Sequence, residues 1–327
     1  MNDKVSTLLE CSRIFSLPMT IMSWLVVFTY SVINSGNGWY GILCLAAICL
    51  VHMGTNVLDD YFDYKSLIKQ VGFDKKEYLK NTQKTKCRYL VSGVLKESQI
   101  LTLAGVYFLI ASVIGLFFYI KCGAPVIKFA LAGGFIALFY SILSKIRLSE
   151  VAVSLAYGPI LFGGVNYVMT KTISWEVFVL SVPTMIMTVI LLYIHTVMDF
   201  DFDLKEGHYT IANAFDSQLD SLIVLKIFII LAYVSLFGIC IFDISDWQVL
   251  IPLITIPLSM DLFKSMTDFS LDNKSVPHHK WYHYPMENME RIEKLGAESF
   301  MIRMYQSRNL MIYFAIFLAI GLVLANI

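Results

Sequence analysis

Runs of about 20 nearly uncharged residues recur along the whole chain, each long enough to cross a hydrocarbon core of about 30 Å. In lipid a segment finds no water for its N–H and C=O groups, so such a run coils into a helix that satisfies them internally. Composition agrees: 57% of the 327 residues are hydrophobic and 15% are charged, against about 25% charged in an ordinary soluble domain. The chain is therefore expected to be an all-α, polytopic membrane protein, a single integral-membrane domain over residues 1–327 in contact with membrane lipids.

Hydropathy predicts nine transmembrane helices at 14–34, 38–58, 100–120, 124–144, 151–170, 174–198, 219–243, 247–265 and 307–326. The first thirteen residues are mixed polar and lack an apolar core followed by a small-residue cleavage site, so the first apolar segment is expected to stay as a helix. Basic residues crowd alternate connections. Residues 61–99 hold nine lysines and arginines, 145–150 hold Lys145 and Arg147, 199–218 hold Lys205, and the stretch from Lys264 to Arg308 is also basic. The intervening connections contain only Lys121 and Lys171. By the positive-inside rule the basic side faces the cytoplasm and the C-terminus lies outside, with Trp39, Tyr40, Trp175 and Trp247 forming an aromatic belt at the opposite ends.

The six cysteines (Cys11, Cys44, Cys49, Cys87, Cys122 and Cys240) include no CxxC pair and read as packing residues rather than a zinc or disulfide framework. Formal net charge is zero, which gives no reason to expect a nucleic-acid partner.

Against this background "TNVLDDYFDYKS" is anomalous, because it sets carboxylates at the end of an apolar helix. At about 100° per residue, Asn56, Asp59, Asp60 and Asp63 fall on one face if the second helix continues through residue 63. Like charges so close repel unless a cation intervenes, and hard oxygen ligands suit Mg²⁺, which commonly takes one or two carboxylates plus substrate phosphates. A second cluster, "HTVMDFDFDLKEGHYT", puts Asp199 and Asp203 at i and i+4, His195 one turn earlier and Lys205 beyond, with Asp201 turned away as a surface residue. One acidic helix end would ordinarily be a solvated terminus. Two at equivalent positions, at ends where the helix dipole is itself negative, point instead to Mg²⁺ and a diphosphate held between Asp59, Asp60, Asp63, Asp199 and Asp203.

These residues resemble the paired aspartate motifs of the UbiA superfamily of intramembrane prenyltransferases, and "MGTNVLDDYFDYKS" is most similar to its 1,4-dihydroxy-2-naphthoate polyprenyltransferase branch. "SRIFSLPMTI", "RYLVSGVL" and "LSEVAVSLAYGPILFGGVNYV" follow the family's order, so the resemblance covers residues 10 to 215. It implies a nine-helix UbiA-type bundle. Asn56, Asp60 and Asp63 match the first metal-diphosphate motif, and Asp199 and Asp203 the second. Arg88, Lys145 and Lys205 fall at basic positions suited to diphosphate contact, and Tyr140 and Tyr157 at cavity-facing aromatic positions. Tyr167 and Tyr193 are further cavity aromatics to consider. His195 is read as an acceptor contact or base, or equally as a hydrogen-bonded bundle histidine.

The implied activity is Mg²⁺-dependent transfer of a polyprenyl group from an allylic diphosphate to 1,4-dihydroxy-2-naphthoate or a related quinone precursor, as in menaquinone biosynthesis, at the cytoplasmic face of a prokaryotic plasma membrane. Other readings are a UbiA-type enzyme with a hydroxybenzoate, lipid glycerol phosphate or porphyrin acceptor, and a multi-span transporter, whose acids would mark an ion pathway. Three departures stand out: Asp59 where the branch has Asn, Leu67 in place of the longer motif's last aspartate, and "HTVMD" where it has "NNxRD". The stretch 266–306 is longer than the branch requires, and is read as an amphipathic interfacial segment in preference to a cap over the site.

Overall fold

The computed structural model describes residues 7–8, 10–70, 72–80, 87–206 and 209–327, apart from the side chains of Glu77, Lys80 and Glu206. Among these, nine helices are long and apolar enough to cross a membrane. They are α1 (Ile14–Ile33), α2 (Gly38–Leu67), α3 (Glu97–Cys122), α4 (Pro125–Leu143), α5 (Ser149–Thr170), α6 (Trp175–Met198), α7 (Gln218–Ile241), α8 (Trp247–Leu271) and α9 (Glu298–Leu324). No strand forms among the described residues, where the β pairing is a single isolated bridge between Ile146 and Tyr209.

Local chemistry sets several boundaries. Pro18 and Pro125 occupy first turns, where the missing N–H costs nothing. Asn37 caps α2 by accepting from the Trp39 and Tyr40 amides at 3.1 and 3.3 Å. Gly41 lets α2 approach α1, because a Cβ there would sit 2.5 Å from the Phe28 ring. In α5 the helix widens into a π turn over Ala156–Ile160, where Pro159 withholds its donor and Gly158 leaves helical geometry. Between helices, side-chain hydroxyls meet backbone or amide acceptors in the apolar interior, as with Ser31 and Asn166 at 3.0 Å.

At 30 residues α2 is about 45 Å long, more than a bilayer core requires, so its last turns and their aspartates extend beyond the hydrocarbon. The even-numbered helices run one way. The C-terminal ends of α2, α4, α6 and α8 therefore share one face with Arg13, which precedes α1.

Two expectations are corrected here. The ninth helix begins at Glu298, not 307, and α8 runs to Leu271. Arg303 explains the first difference: it is buried inside α9, yet donates to the carbonyls of Ser265, Ser275 and Ser299 at 2.6 to 2.9 Å and to Ser275 Oγ at 2.8 Å. A fully satisfied guanidinium can lie where a hydropathy window would end the span.

The connecting residues 272–297 pack against α8 and α9. They form a strap laid along the two helices, with most of its residues exposed and His283 and Ile292 buried. Lys280 Nζ bonds both Asp261 oxygens at 2.6 and 2.8 Å, and Asn309 Nδ2 donates to the carbonyls of His283 and Pro285 at 2.6 and 2.9 Å. The Tyr313 hydroxyl donates to the Tyr284 carbonyl. α8 and α9 thus supply the side chains that fix this irregular backbone.

Candidate functional site

The helix does persist through Leu67, so Asn56, Asp59, Asp60 and Asp63 share one face of α2. Three other parts of the chain converge on it. Asp60, 2% exposed, accepts from the Arg13 guanidinium and from the Tyr89 hydroxyl, while Cys87 Sγ donates to its backbone carbonyl at 3.0 Å. Asp59, 6% exposed, accepts from Ser141 Oγ of α4 at 2.9 Å and lies 3.7 Å from Arg13 Nη1. Asp63 sits 3.6 Å from Lys145 Nζ, which also donates to Ser66 Oγ at 3.1 Å.

Electrostatics around Arg13 are decided by these neighbours. Burial disfavours its charge, but the Asp60 and Asp59 carboxylates outweigh burial and hold its pKa above the ordinary guanidinium value. Burial, and then the Asp60 charge, push the Tyr89 phenol up, so Tyr89 stays protonated and donates.

The second cluster ends α6. Asp199 is its C-cap, and the Asp203 amide donates to the Asp199 carbonyl at 2.8 Å, which carries the helical path into the short helix Phe200–Glu206. His195 Nδ1 lies 3.2 Å from Asp199 Oδ2, and the imidazole packs edge-on against Phe300 of α9 at 5.6 Å. Asp201 and Lys205 are exposed.

Both clusters line one cavity of about 2690 Å³ that continues between the helices along apolar side chains such as Phe118, Val126 and Leu161. Tyr140, Tyr157, Arg88, Lys145, His195 and Lys205 all border it. Arg88 also donates to the Leu79 carbonyl at 2.7 Å. Tyr167 and Tyr193 do not face the cavity: their hydroxyls donate to the carbonyls of Cys122 and Ser221 at 2.7 and 2.8 Å within helix packing. Strap and α9 residues, among them Glu287, Arg291 and Met301, line the same space, so this segment is a wall of the cavity.

No three His, Cys, Asp or Glu side chains converge into a closed metal cage among the described residues. The donors are instead an amide and pairs of carboxylates on two walls. Such a set fits a hydrated Mg²⁺, which needs only one or two protein carboxylates when a ligand's phosphate oxygens complete its shell.

Arg13, Tyr89 and Ser141 were not anticipated as site residues. Arg13 stands in "SRIF" and Tyr89 in "RYLVSG", both within the matching stretches, so a signal for them existed; Ser141 carried none.

The sequence pattern of the UbiA prenyltransferase family matches residues 16–284. No curated protein matches the chain by sequence. Among solved structures, a digeranylgeranylglyceryl phosphate synthase in membranes superposes with a TM-score of 0.59 at 15% identity, covering 98% of this chain and 99% of its own. An apo UbiA homolog from Aeropyrum pernix K1 follows at 0.57 and 14%, covering 93% and 97%. A UbiA homolog from Archaeoglobus fulgidus bound to DMAPP and Mg²⁺ gives 0.55 and 12%, covering 93% and 98%. At these identities the structures speak to the fold, and the family match covers most of the chain. The protein thus belongs to the UbiA prenyltransferase family.

Proposed function

We propose that the protein transfers a polyprenyl group from an allylic diphosphate to 1,4-dihydroxy-2-naphthoate or a related aromatic quinone precursor, with Mg²⁺, at the cytoplasmic face of a prokaryotic plasma membrane. One observation carries this reading: two carboxylate clusters and several cations border one end of a cavity whose remainder is mostly apolar. A prenyl diphosphate has the same division, a multiply charged head on a hydrocarbon tail. The Archaeoglobus homolog's bound DMAPP and Mg²⁺ support the same assignment.

Prenyl transfer begins as the bond from C1 to the diphosphate oxygen breaks, so negative charge grows on the leaving group and positive charge on the allyl. Bound Mg²⁺, held by Asp59, Asp60 and Asp63 on one wall and Asp199 and Asp203 on the other, would supply Lewis-acid neutralisation of the departing diphosphate. Lys145, Lys205 and Arg88 add fixed positive charge near the head group, and Arg13 holds the Asp59 and Asp60 carboxylates in place. Tyr140 and Tyr157 offer ring faces to the allylic cation, and the apolar wall excludes water that would trap it. The acceptor ring attacks C1. With a naphthoate acceptor, loss of CO₂ from the attacked carbon restores aromaticity.

The test is purified protein with Mg²⁺, a labelled polyprenyl diphosphate and a panel of naphthoate, hydroxybenzoate, glycerol phosphate and porphyrin acceptors, read by mass spectrometry. The naphthoate is expected to give a prenylated, decarboxylated product. Exclusive prenylation of another acceptor would overturn the acceptor assignment, and no product from any would overturn the transferase reading.

A further inference from the structure

The connection between α4 and α5 carries a residue that the reaction described above does not use. Arg147 is exposed, yet its backbone sits at φ 63°, in the left-handed region that side chains other than glycine rarely adopt. Such a conformation persists only where its surroundings fix it. Here they do. The Arg147 N–H donates to the Tyr209 carbonyl at 2.9 Å, Ile146 and Tyr209 form the parallel bridge, and the Arg147 guanidinium lies 5.6 Å from the centre of the Tyr209 ring.

Both sides of this contact are anchored beneath it. Ser149 and Glu150 are buried in the first turn of α5, where the Ser149 hydroxyl donates to Glu150 Oε2 at 2.7 Å. The positive end of the α5 dipole favours a carboxylate there, and the Ile211 N–H is close enough to attract it. Across the bridge, the Thr210 N–H donates to Asn213 Oδ1 at 2.9 Å and the Asn213 N–H donates to Thr210 Oγ1 at 3.2 Å. That reciprocal pair fixes the turn that follows Tyr209.

The bridge joins the two carboxylate walls. Lys145, two residues before Arg147, stands 3.6 Å from Asp63 and donates to Ser66 Oγ on α2. Asp203 and Lys205 lie six and four residues before Tyr209 in the chain, on the short helix Phe200–Glu206. The two walls carry like charge, so without a cation between them they repel. Asp199 is held at the end of α6, but Asp203 stands past that C-cap and depends on other contacts for its distance from α2.

We propose that Arg147 and Tyr209 are positioning residues: they brace the Asp203–Lys205 segment against repulsion from the α2 carboxylates, at the separation where one Mg²⁺-bound diphosphate engages both walls. The inference rests on the transferase reading for its ligand. Neither residue is among those that border the cavity, so the pair acts through Lys145 on one side and the short helix on the other. The backbone bond and the bridge carry the restraint, and the guanidinium over the ring adds to it. With the brace loosened, the walls stand farther apart on average and more Mg²⁺ is needed to draw them together.

The experiment measures binding of farnesyl thiodiphosphate to the purified full-length protein across a Mg²⁺ series, with melting curves to confirm folding. Arg147→Pro deletes the donor N–H and cannot take the positive φ. It is expected to raise the half-saturating Mg²⁺ concentration about tenfold, the scale of one lost hydrogen bond. Arg147→Gly keeps the N–H and accepts the backbone angle, so it should stay within about threefold of wild type. A role in stability alone would lower the Tm without moving the Mg²⁺ requirement of the folded protein. Should Arg147→Pro fail to fold, the double variant Ile146→Cys and Tyr209→Cys decides the matter, with diamide-treated wild type as control. Oxidised to a disulfide by diamide, it should need at least about threefold less Mg²⁺ than after reduction with dithiothreitol. No shift in folded Arg147→Pro, an equal shift in Arg147→Gly, or no difference between the oxidised and reduced cysteine pair would overturn the brace and leave the transferase reading standing. Failure of wild-type protein to bind farnesyl thiodiphosphate at any Mg²⁺ concentration would overturn both.

Discussion

The Arg13 guanidinium is hydrogen-bonded to the Asp60 carboxylate, joining the residue just before α1 to the last turns of α2. The bond carries the positive charge that lets Asp59 and Asp60 stand side by side at 6% and 2% exposure. Removing it would leave two buried neighbouring carboxylates without a permanent countercharge.

Arg13→Met is therefore expected to destabilise the protein by about 2–3 kcal/mol, below the usual cost of breaking a fully buried pair because the Arg13 side chain is 22% exposed. Part of that loss should be recovered by millimolar Mg²⁺. Melting curves with EDTA and with Mg²⁺ check this, and Mg²⁺ should raise the variant's Tm more than that of wild type.

Chelation provides a second expectation. Under the proposed function, EDTA should abolish both prenyl transfer and binding of the prenyl diphosphate, and added Mg²⁺ should restore both. Diphosphate affinity unchanged by EDTA would argue against carboxylates as the metal-bearing walls.

The strap makes a pH-dependent prediction. Burial pulls the His283 imidazole below its usual pKa, against the opposing pull of Asp261, with Lys280 and His279 nearby adding repulsion. A histidine lowered on folding binds fewer protons in the native state than in the unfolded one. Its contribution is thus present above the unfolded value of about 6.5 and is lost as pH falls below it. Hydrogen exchange across 278–288 should accelerate, relative to the intrinsic rate, between pH 7.5 and 5, and His283→Gln should show a flatter dependence.

Arg303→Met should cost about 3–5 kcal/mol, because five acceptors on α8, the strap and α9 lose a shared buried donor. The loss should appear as a lower Tm and faster hydrogen exchange in the strap. Since that strap walls the cavity, turnover should fall as well.

Much of the architecture was legible because lipid leaves a 20-residue apolar run few options other than a helix. The shared face of Asn56, Asp59, Asp60 and Asp63 was readable from spacing alone, given a helix that continues to Leu67. The strap was not. Its anchors, Asp261 and Arg303, are charges inside apolar helices, and hydropathy treats charge as an ending rather than as half of a pair. Arg13 was hidden for a related reason, since a cation beside the first span reads as an ordinary membrane flank until Asp60 is found against it.

The most direct test of the two-walled diphosphate site is turnover of purified Asp60→Ala and Asp199→Ala with Mg²⁺, a labelled polyprenyl diphosphate and the acceptor, alongside melting curves that confirm folding. Each substitution removes a carboxylate from a different wall, and each is predicted to reduce product formation by at least about a hundredfold while the protein stays folded. Near-normal turnover in either variant would contradict the account.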